Sequence, residues 1–426
     1  MAAAILLILA SLFLIGIPII FVLGLVSLAY ILITGNYNML IILPHRMFKG
    51  LDMFVLLAIP LFTLAGNLMN AGGISERLIA LVKSLVGHIY GGLAQVNIGA
   101  SMLFSGISGS AVADTSAIGS ILIPSMIEDK YDPSFSAAIT SVSSTVGPII
   151  PPSIPFVIYA AMGSVSVAAL FLAGFFPGLL LGFSLMIASY FYARRKKIPR
   201  SGKFVLNDFL RNLYRSIPAL LFPFIILYGI LGGVFTPTEA AAVAVIYAII
   251  IGFFVHRQLT IKKLIDITID TGIMLGALAP IVSTAAIFSW ILGAENASTV
   301  IINILYSITH NKYLIMLIIN LFLLLVGTVL EPASAIILFT PIFLPVAVQL
   351  GVDPVHFGAI LVLNLIIGLS TPPVGVCLFI ACRIANVSLE QISRAALPFL
   401  IVAIIVLLII TYSPDLVLYL PNLFGQ

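Results

Sequence analysis

Hydrophobic positions run almost without pause along this chain, so its organisation has to be read from the interruptions. Residues 3–34 are apolar throughout, with Gly16 and Pro18 at the centre. A bilayer span takes about 20 residues, so this stretch is either one kinked helix or two short ones meeting at "GIP". Residues 36–52 mix apolar with basic positions and predict a helix lying at the membrane interface. A span is expected at 53–70, followed by an amphipathic piece bracketed by glycine pairs. Segments 91–107 and 115–130 are short and meet at the polar, glycine-rich "SGISGSAVADTS", which predicts a re-entrant hairpin over about 91–130. Segment 133–162 is a span broken by "VGPIIPPSIP", because proline in a helix interior removes a donor and strands a carbonyl. A span at 167–193 ends in a basic run.

The same order then returns. Spans are expected at 216–232 and 237–255, joined by "GGVFTPTE", with an interfacial segment at 256–270 and a span at 271–293. An amphipathic piece (295–310), a second hairpin (312–350), a second proline-broken helix (354–384), a last span (391–413) and a tail (414–426) complete the chain. An ungapped comparison at an offset of 221 residues sets Gly106 on Gly327 and Pro124 on Pro345. It also sets Asp132-Pro133 on Asp353-Pro354, Gly147 on Gly368, and Pro151-Pro152 on Pro372-Pro373. The matches fall on helix breakers and turn formers, which set backbone shape. Pro60 pairs with Pro280 after one deletion.

Composition fixes the class. The 426 residues are 62% hydrophobic and 8% charged, against about 25% charged in soluble domains. Long apolar stretches exclude a barrel, whose strands alternate. The expected fold is an all-α polytopic membrane protein with about 10–12 transmembrane helices. No charged residue precedes Arg46, so the N-terminal stretch is expected to be membrane helix rather than a signal peptide. Cys377 and Cys382 are too few for a disulfide framework or a metal site. The histidines are scattered, and nothing resembles a P-loop or a nucleophile elbow.

Charge gives orientation. Residues 194–215 hold eight Lys or Arg and one acid, which predicts a cytoplasmic loop. "HRQLTIKK" and the Arg383/Arg394 loop should share that side. These assignments agree if 295–310 does not cross, which leaves five spans between the bases of the two hairpins. The repeat is then inverted, as in many secondary transporters, and the C-terminus lies outside. The +4 net charge reports topology rather than nucleic-acid binding.

In hydrocarbon a freed backbone group costs several kcal/mol unless it is buried in protein or lines a wet cavity. Each repeat has two breaks that need such cover, a hairpin tip and a proline-broken helix. The first pair offers Ser105, Ser108, Ser110, Thr115, Ser116, Thr145 and Ser153; the second offers Thr328, Ser334, Ser370 and Thr371. Hard oxygen ligands and freed carbonyls suit Na⁺, and helix N-termini suit an anionic substrate. One carboxylate sits at each tip, Asp114 and Glu331. Each is a cation ligand or proton carrier, or else a cap holding its tip together. They do not align, since Asp114 lies eight residues after its glycine and Glu331 four. Small residues at the tips also suit close helix packing, but packing does not require paired prolines. Glu239 reads as a helix-start acid and Trp290 as an interfacial anchor.

"FSGISGSAVAD", "GPIIPPSIP", "GVFTPTEAAAVAV" and "GLSTPPVG" resemble the signatures of the large membrane subunit (M subunit) of tripartite ATP-independent periplasmic (TRAP) transporters. The resemblance runs through essentially the whole chain. It implies a Na⁺-driven importer of organic acids in the bacterial inner membrane, with a small four-helix membrane subunit and a periplasmic substrate-binding protein as partners. Because the chain begins with the large-subunit pattern, the small subunit is expected as a separate chain. Related sodium-coupled transporters imply an elevator in which a hairpin domain moves against a scaffold. Transport repeats would be 53–193 and 271–413, the scaffold 1–35 and 216–255, and the linking arms 36–52 and 256–270.

Position by position, the first Na⁺ site is assigned to Ser105, Ser108, Gly109, Ser110, Asp114, Thr145, Gly147 and Pro148. The second is assigned to Gly327, Thr328, Glu331, Gly368, Thr371 and Pro372. Substrate contacts are assigned to Ser110, Thr115, Ser116, Pro152, Ser153, Ser334 and Pro373, for an acid such as sialic acid or a C4-dicarboxylate. Two other readings stand beside this one: a stand-alone Na⁺/dicarboxylate symporter, and an intramembrane enzyme. The second lacks a nucleophile–base or metal constellation.

Overall fold

The computed structural model describes residues 2–35, 37, 39–196, 198 and 204–425, and among these every regular element is helical. The 3–34 stretch is two helices, α1 (Ala2–Leu14) and α2 (Ile19–Thr34), parted where Gly16 takes a left-handed φ of 84° and Pro18 precedes the next helix. Next comes α3 (Met39–Leu51), an amphipathic helix with no buried residue. A short turn then leads into α4 (Ala58–Ala71), followed by α5 (Ile74–Val86). The first hairpin is α6 (Gly92–Ser108) and α7 (Ala111–Glu128). The first broken helix is α8 (Pro133–Ser143) and α9 (Ile154–Gly163), and α10 (Val167–Arg195) closes the half.

The second half opens with α11 (Leu206–Leu231) and α12 (Pro237–Ile250), the latter ending in a wide π turn at Ile251–Val255. It continues through α13 (Ile261–Ala294) and α14 (Ala297–Ile308). The second hairpin is α15 (Lys312–Gly327) and α16 (Pro332–Gln349), and the second broken helix is α17 (Pro354–Gly368) and α18 (Val376–Ala385). It ends with α19 (Leu389–Tyr412) and α20 (Pro414–Leu423).

Three features differ from the sequence reading. Residues 261–270 of the expected interfacial segment and the span after it are one continuous helix, α13, because no glycine or proline interrupts 261–271. The tail is not extended: Pro414 opens α20, where a missing N–H costs nothing, and α20 packs on α10. The basic stretch 194–215 is mostly helix ends; of its connecting residues, 197 and 199–203 lie outside the described ones, as do Asn36 and Asn38 of the first arm.

Among the described residues seven helices are long and apolar enough to cross a membrane, or eight if the bent pair α14–α15 is one span. The shorter apolar helices include α2 and three pieces of the broken helices, α9, α17 and α18.

The repeat is visible in the fold. Helices α7 and α16 begin 221 residues apart, as do α8 and α17, and Asp132 and Asp353 cap α8 and α17 through backbone N–H groups. Packing between the halves is reciprocal: α9 lies on α16 while α18 lies on α7, and α4 lies on α12 while α13 lies on α2. Reciprocal contacts of this kind are the mark of a two-fold relation. Lipid supplies no hydrophobic drive between helices, so close approach matters. Helix α12, which packs on α4, accordingly buries Ala240, Ala241, Ala244 and Ala248. Glu239 completes a capping box with Thr236 at the start of α12, as a structural acid should. Trp290 carries the Arg46 guanidinium over its ring at 5.4 Å, which ties α3 to α13.

Candidate functional site

At the first tip, α6 ends at Ser108, Gly109 turns the chain through a left-handed φ of 59°, and Ser110 caps α7 by accepting the Ala113 N–H. Asp114 lies one turn into α7 and is 0% exposed. Its Oδ1 accepts the Ser108 hydroxyl, and its Oδ2 has no hydrogen-bond partner among the described residues. Facing it, α8 gives way to a tight turn at Ser144–Val146 and then Gly147. A Cβ on Gly147 would stand 2.1 Å from Asp114 Oδ2 and 3.0 Å from the Ser144 carbonyl oxygen, so only glycine leaves room for the carboxylate. An unpaired buried carboxylate is costly, and it either binds a cation or takes up a proton.

The neighbouring groups are oxygen donors of the hard kind. Ser105 and Thr145 hydroxyls donate to the Met102 (2.5 Å) and Val142 (2.6 Å) carbonyls, which leaves their lone pairs free. This donor set fits a small cation. Ser153 caps α9 and donates to the Pro148 carbonyl across the break. Cys377, from α18 of the other repeat, is buried in a small cluster with Ala111 of α7 and Leu369.

At the second tip, backbone meets backbone. A Cβ on Gly368 would lie 2.3 Å from the Gly327 carbonyl carbon, and Gly375 N–H donates to the Thr328 carbonyl (3.3 Å). Thr328 and Thr371 hydroxyls donate to carbonyls one turn back, Leu325 and Ile367, each at 2.8 Å. Glu331 is exposed and caps α16 by accepting the Ser334 N–H (3.1 Å). Pro372-Pro373, like Pro151-Pro152, is joined by a cis peptide bond. The two breaks touch each other through Ser141 and Ser370, whose hydroxyls lie 3.0 Å apart.

Both tips open on one cavity of about 630 Å³. Ser110, Ser116, Ser334 and Glu331 line it, together with Ser108, Gly109 and Pro148. Thr115, Pro152, Ser153 and Pro373 do not; Thr115 and Ser153 are fully buried in the packing behind it. The opposite wall comes from Thr63 and Asn67 of α4 and from Met274, Ala277, Leu278 and Ile281 of α13, none of which the sequence reading singled out. A half-buried asparagine inside an apolar span was the available signal. Asn67 makes no hydrogen bond among the described residues, so its amide is free for a ligand.

An all-helical membrane fold with paired broken helices around a central cavity defines a transport protein rather than an enzyme. The chain belongs to the family described as "Tripartite ATP-independent periplasmic transporter, DctM component", whose model matches residues 6–416. It is 40% identical over 409 residues to the sialic acid TRAP transporter large permease protein SiaM of Vibrio cholerae, covering 96% of each chain. It is also 40% identical over 384 residues to the C4-dicarboxylate TRAP transporter large permease protein DctM of Pseudomonas aeruginosa, covering 90% of each. Among solved structures, the YdaH transporter of Alcanivorax borkumensis aligns over 89% of each chain with a TM-score of 0.63 at 12% identity, a likeness of fold. The chain is thus the large permease component of a bacterial three-part transporter.

Proposed function

We propose that this chain carries an organic acid into the cell together with Na⁺, driven by the inward Na⁺ gradient, and that Asp114 is the principal Na⁺ ligand. The observation that carries the reading is the orphaned Asp114 Oδ2, fully buried and set against Gly147 at the break between α8 and α9. A bound Na⁺ would supply the missing partner and draw the tip and the break together. Glu331 at the second tip would share a second Na⁺ with the Thr328 and Thr371 region, which also screens its charge from an anionic substrate. The N-terminal ends of α7 and α16 both face the cavity and favour a carboxylate there.

The substrate class is an organic acid of the sialic acid or C4-dicarboxylate kind, handed over by a periplasmic binding protein, with a small membrane subunit completing the permease. Transport follows an elevator scheme. Residues 53–193 and 271–413 would move as one body against α1, α2, α11 and α12. The amphipathic α3 and the first turns of α13 would act as linking arms. The 194–215 region lies in the cytoplasm and the C-terminus outside, by the charge argument.

The test is uptake of the acid into proteoliposomes holding this chain, its small subunit and its binding protein under an inward Na⁺ gradient. Asp114→Asn should reduce Na⁺-driven uptake to background. Unchanged uptake with unchanged sodium dependence would remove Asp114 from the site.

A further inference from the structure

A second cavity, of about 710 Å³, lies away from the hairpin tips where α5, the first part of α11 and the end of the α12 π turn converge. Its walls carry Arg77, Arg215 and His256 against a single carboxylate, Glu76. The seam is a built one. Asn212 donates to the Ala80 carbonyl (3.3 Å), Ser216 donates to the Arg77 carbonyl (3.1 Å), and His256 Nδ1 lies 3.0 Å from the Gly72 carbonyl oxygen.

Neither guanidinium has an ion-pair partner among the described residues. Arg77 spends one N–H on the Gly73 carbonyl, and Arg215 makes no hydrogen bond there at all. Burial draws the Arg77 pKa below its ordinary value; Glu76 opposes this and the charge of Arg215 adds to it. Burial and then Arg77 do the same to His256, against the Gly72 hydrogen bond. Three basic side chains gathered on one cavity, with Arg215 acting on Arg77 and Arg77 on His256, call for an anion between them. Forked guanidinium groups match phosphate oxygens in pairs.

The outer wall says which phosphate. Tyr214, Ile217 and Val255 are exposed at the rim, so a ligand there meets hydrocarbon and an interfacial aromatic ring next to the charged seat. We propose that this seam is a headgroup site for an anionic phospholipid, with its phosphate between Arg77 and Arg215 and its acyl chains along Tyr214, Ile217 and Val255. Basic pockets between membrane helices on the cytoplasmic side suit such lipids. Because the seam joins α5 to α11, a lipid there fastens one of the proposed moving elements to the scaffold.

The test is native mass spectrometry and thermal unfolding of the full chain in detergent, with phosphatidylglycerol, phosphatidylcholine or inorganic phosphate added in separate arms. Phosphatidylglycerol should remain bound and raise the melting midpoint, while phosphatidylcholine should not. Arg77→Gln and Arg215→Gln should each weaken its retention by about fivefold. Arg215→Gln loses no internal hydrogen bond, so it should melt no lower than the parent in lipid-free detergent. Equal retention by parent and variants would overturn the proposal. So would equal protection by phosphatidylcholine, or by inorganic phosphate alone, which would mark a free-anion site instead.

Discussion

At the first tip the residue that caps α7 is Ser110 and the residue one turn in is Asp114; at the second tip the positions 221 residues later hold Glu331 and Ala335. The second helix of each hairpin starts at the same repeat position, but the turn before it differs, since Gly109 is left-handed and its counterpart Leu330 is not, and the carboxylate has changed places. In the first it is buried, half satisfied by Ser108 and half unpaired. In the second it is exposed at the cavity edge and busy as a helix cap, while Ala335 fills the buried position. A two-fold plan fixes where the tips meet the breaks. It does not fix what each tip holds. One acid is placed where it demands a cation, the other where it also has a structural duty, so the two sites should differ in affinity and in tolerance of substitution.

Three substitutions rank that difference. The largest loss belongs to Asp114→Asn, described above. Gly147→Ala should come next, since its Cβ meets Asp114 Oδ2 at 2.1 Å. Overpacking of this sort costs about 1–3 kcal/mol, and it falls on the ligand itself. Na⁺-driven uptake should fall steeply, with more Na⁺ needed for half-maximal rate; a variant with the parent's sodium curve would show that Gly147 and Asp114 do not share a site. Glu331→Ala should have the smallest effect. Loss of the cap costs about 0.5–1 kcal/mol, visible as a lower melting midpoint, while measurable Na⁺-driven uptake survives at higher Na⁺. If Glu331→Ala abolishes uptake and Asp114→Asn does not, the ranking of the two tips is reversed.

Much of this plan was legible in the chain. Breaks are written in glycine, proline and aspartate, which act locally, so both hairpins, both broken helices and the 221-residue offset could be read without coordinates. The unequal spacing of Asp114 and Glu331 from their glycines already said that the acids do not correspond. The far wall of the cavity was not legible. Thr63, Asn67 and Met274–Ile281 sit in apolar helices, and which face of such a helix turns inward depends on its packing partners rather than on its own pattern. The same limit applies to Thr115 and Ser153. Their hydroxyls looked available for substrate, but the folded chain spends them on the Ala111 and Pro148 carbonyls. The contact between the repeats through Ser141 and Ser370 likewise appears only once the halves are docked.

The central claim is that the buried, half-satisfied Asp114 is completed by Na⁺. A ligand that binds only the folded state raises its stability by RT ln(1 + [L]/Kd), so the most direct measurement is the melting midpoint of the purified chain titrated with NaCl against KCl at matched ionic strength. The parent should gain stability with Na⁺ and not with K⁺, and Asp114→Asn should lose most of that gain while folding to the same helical content. A Na⁺-specific gain that is undiminished in Asp114→Asn would contradict the account.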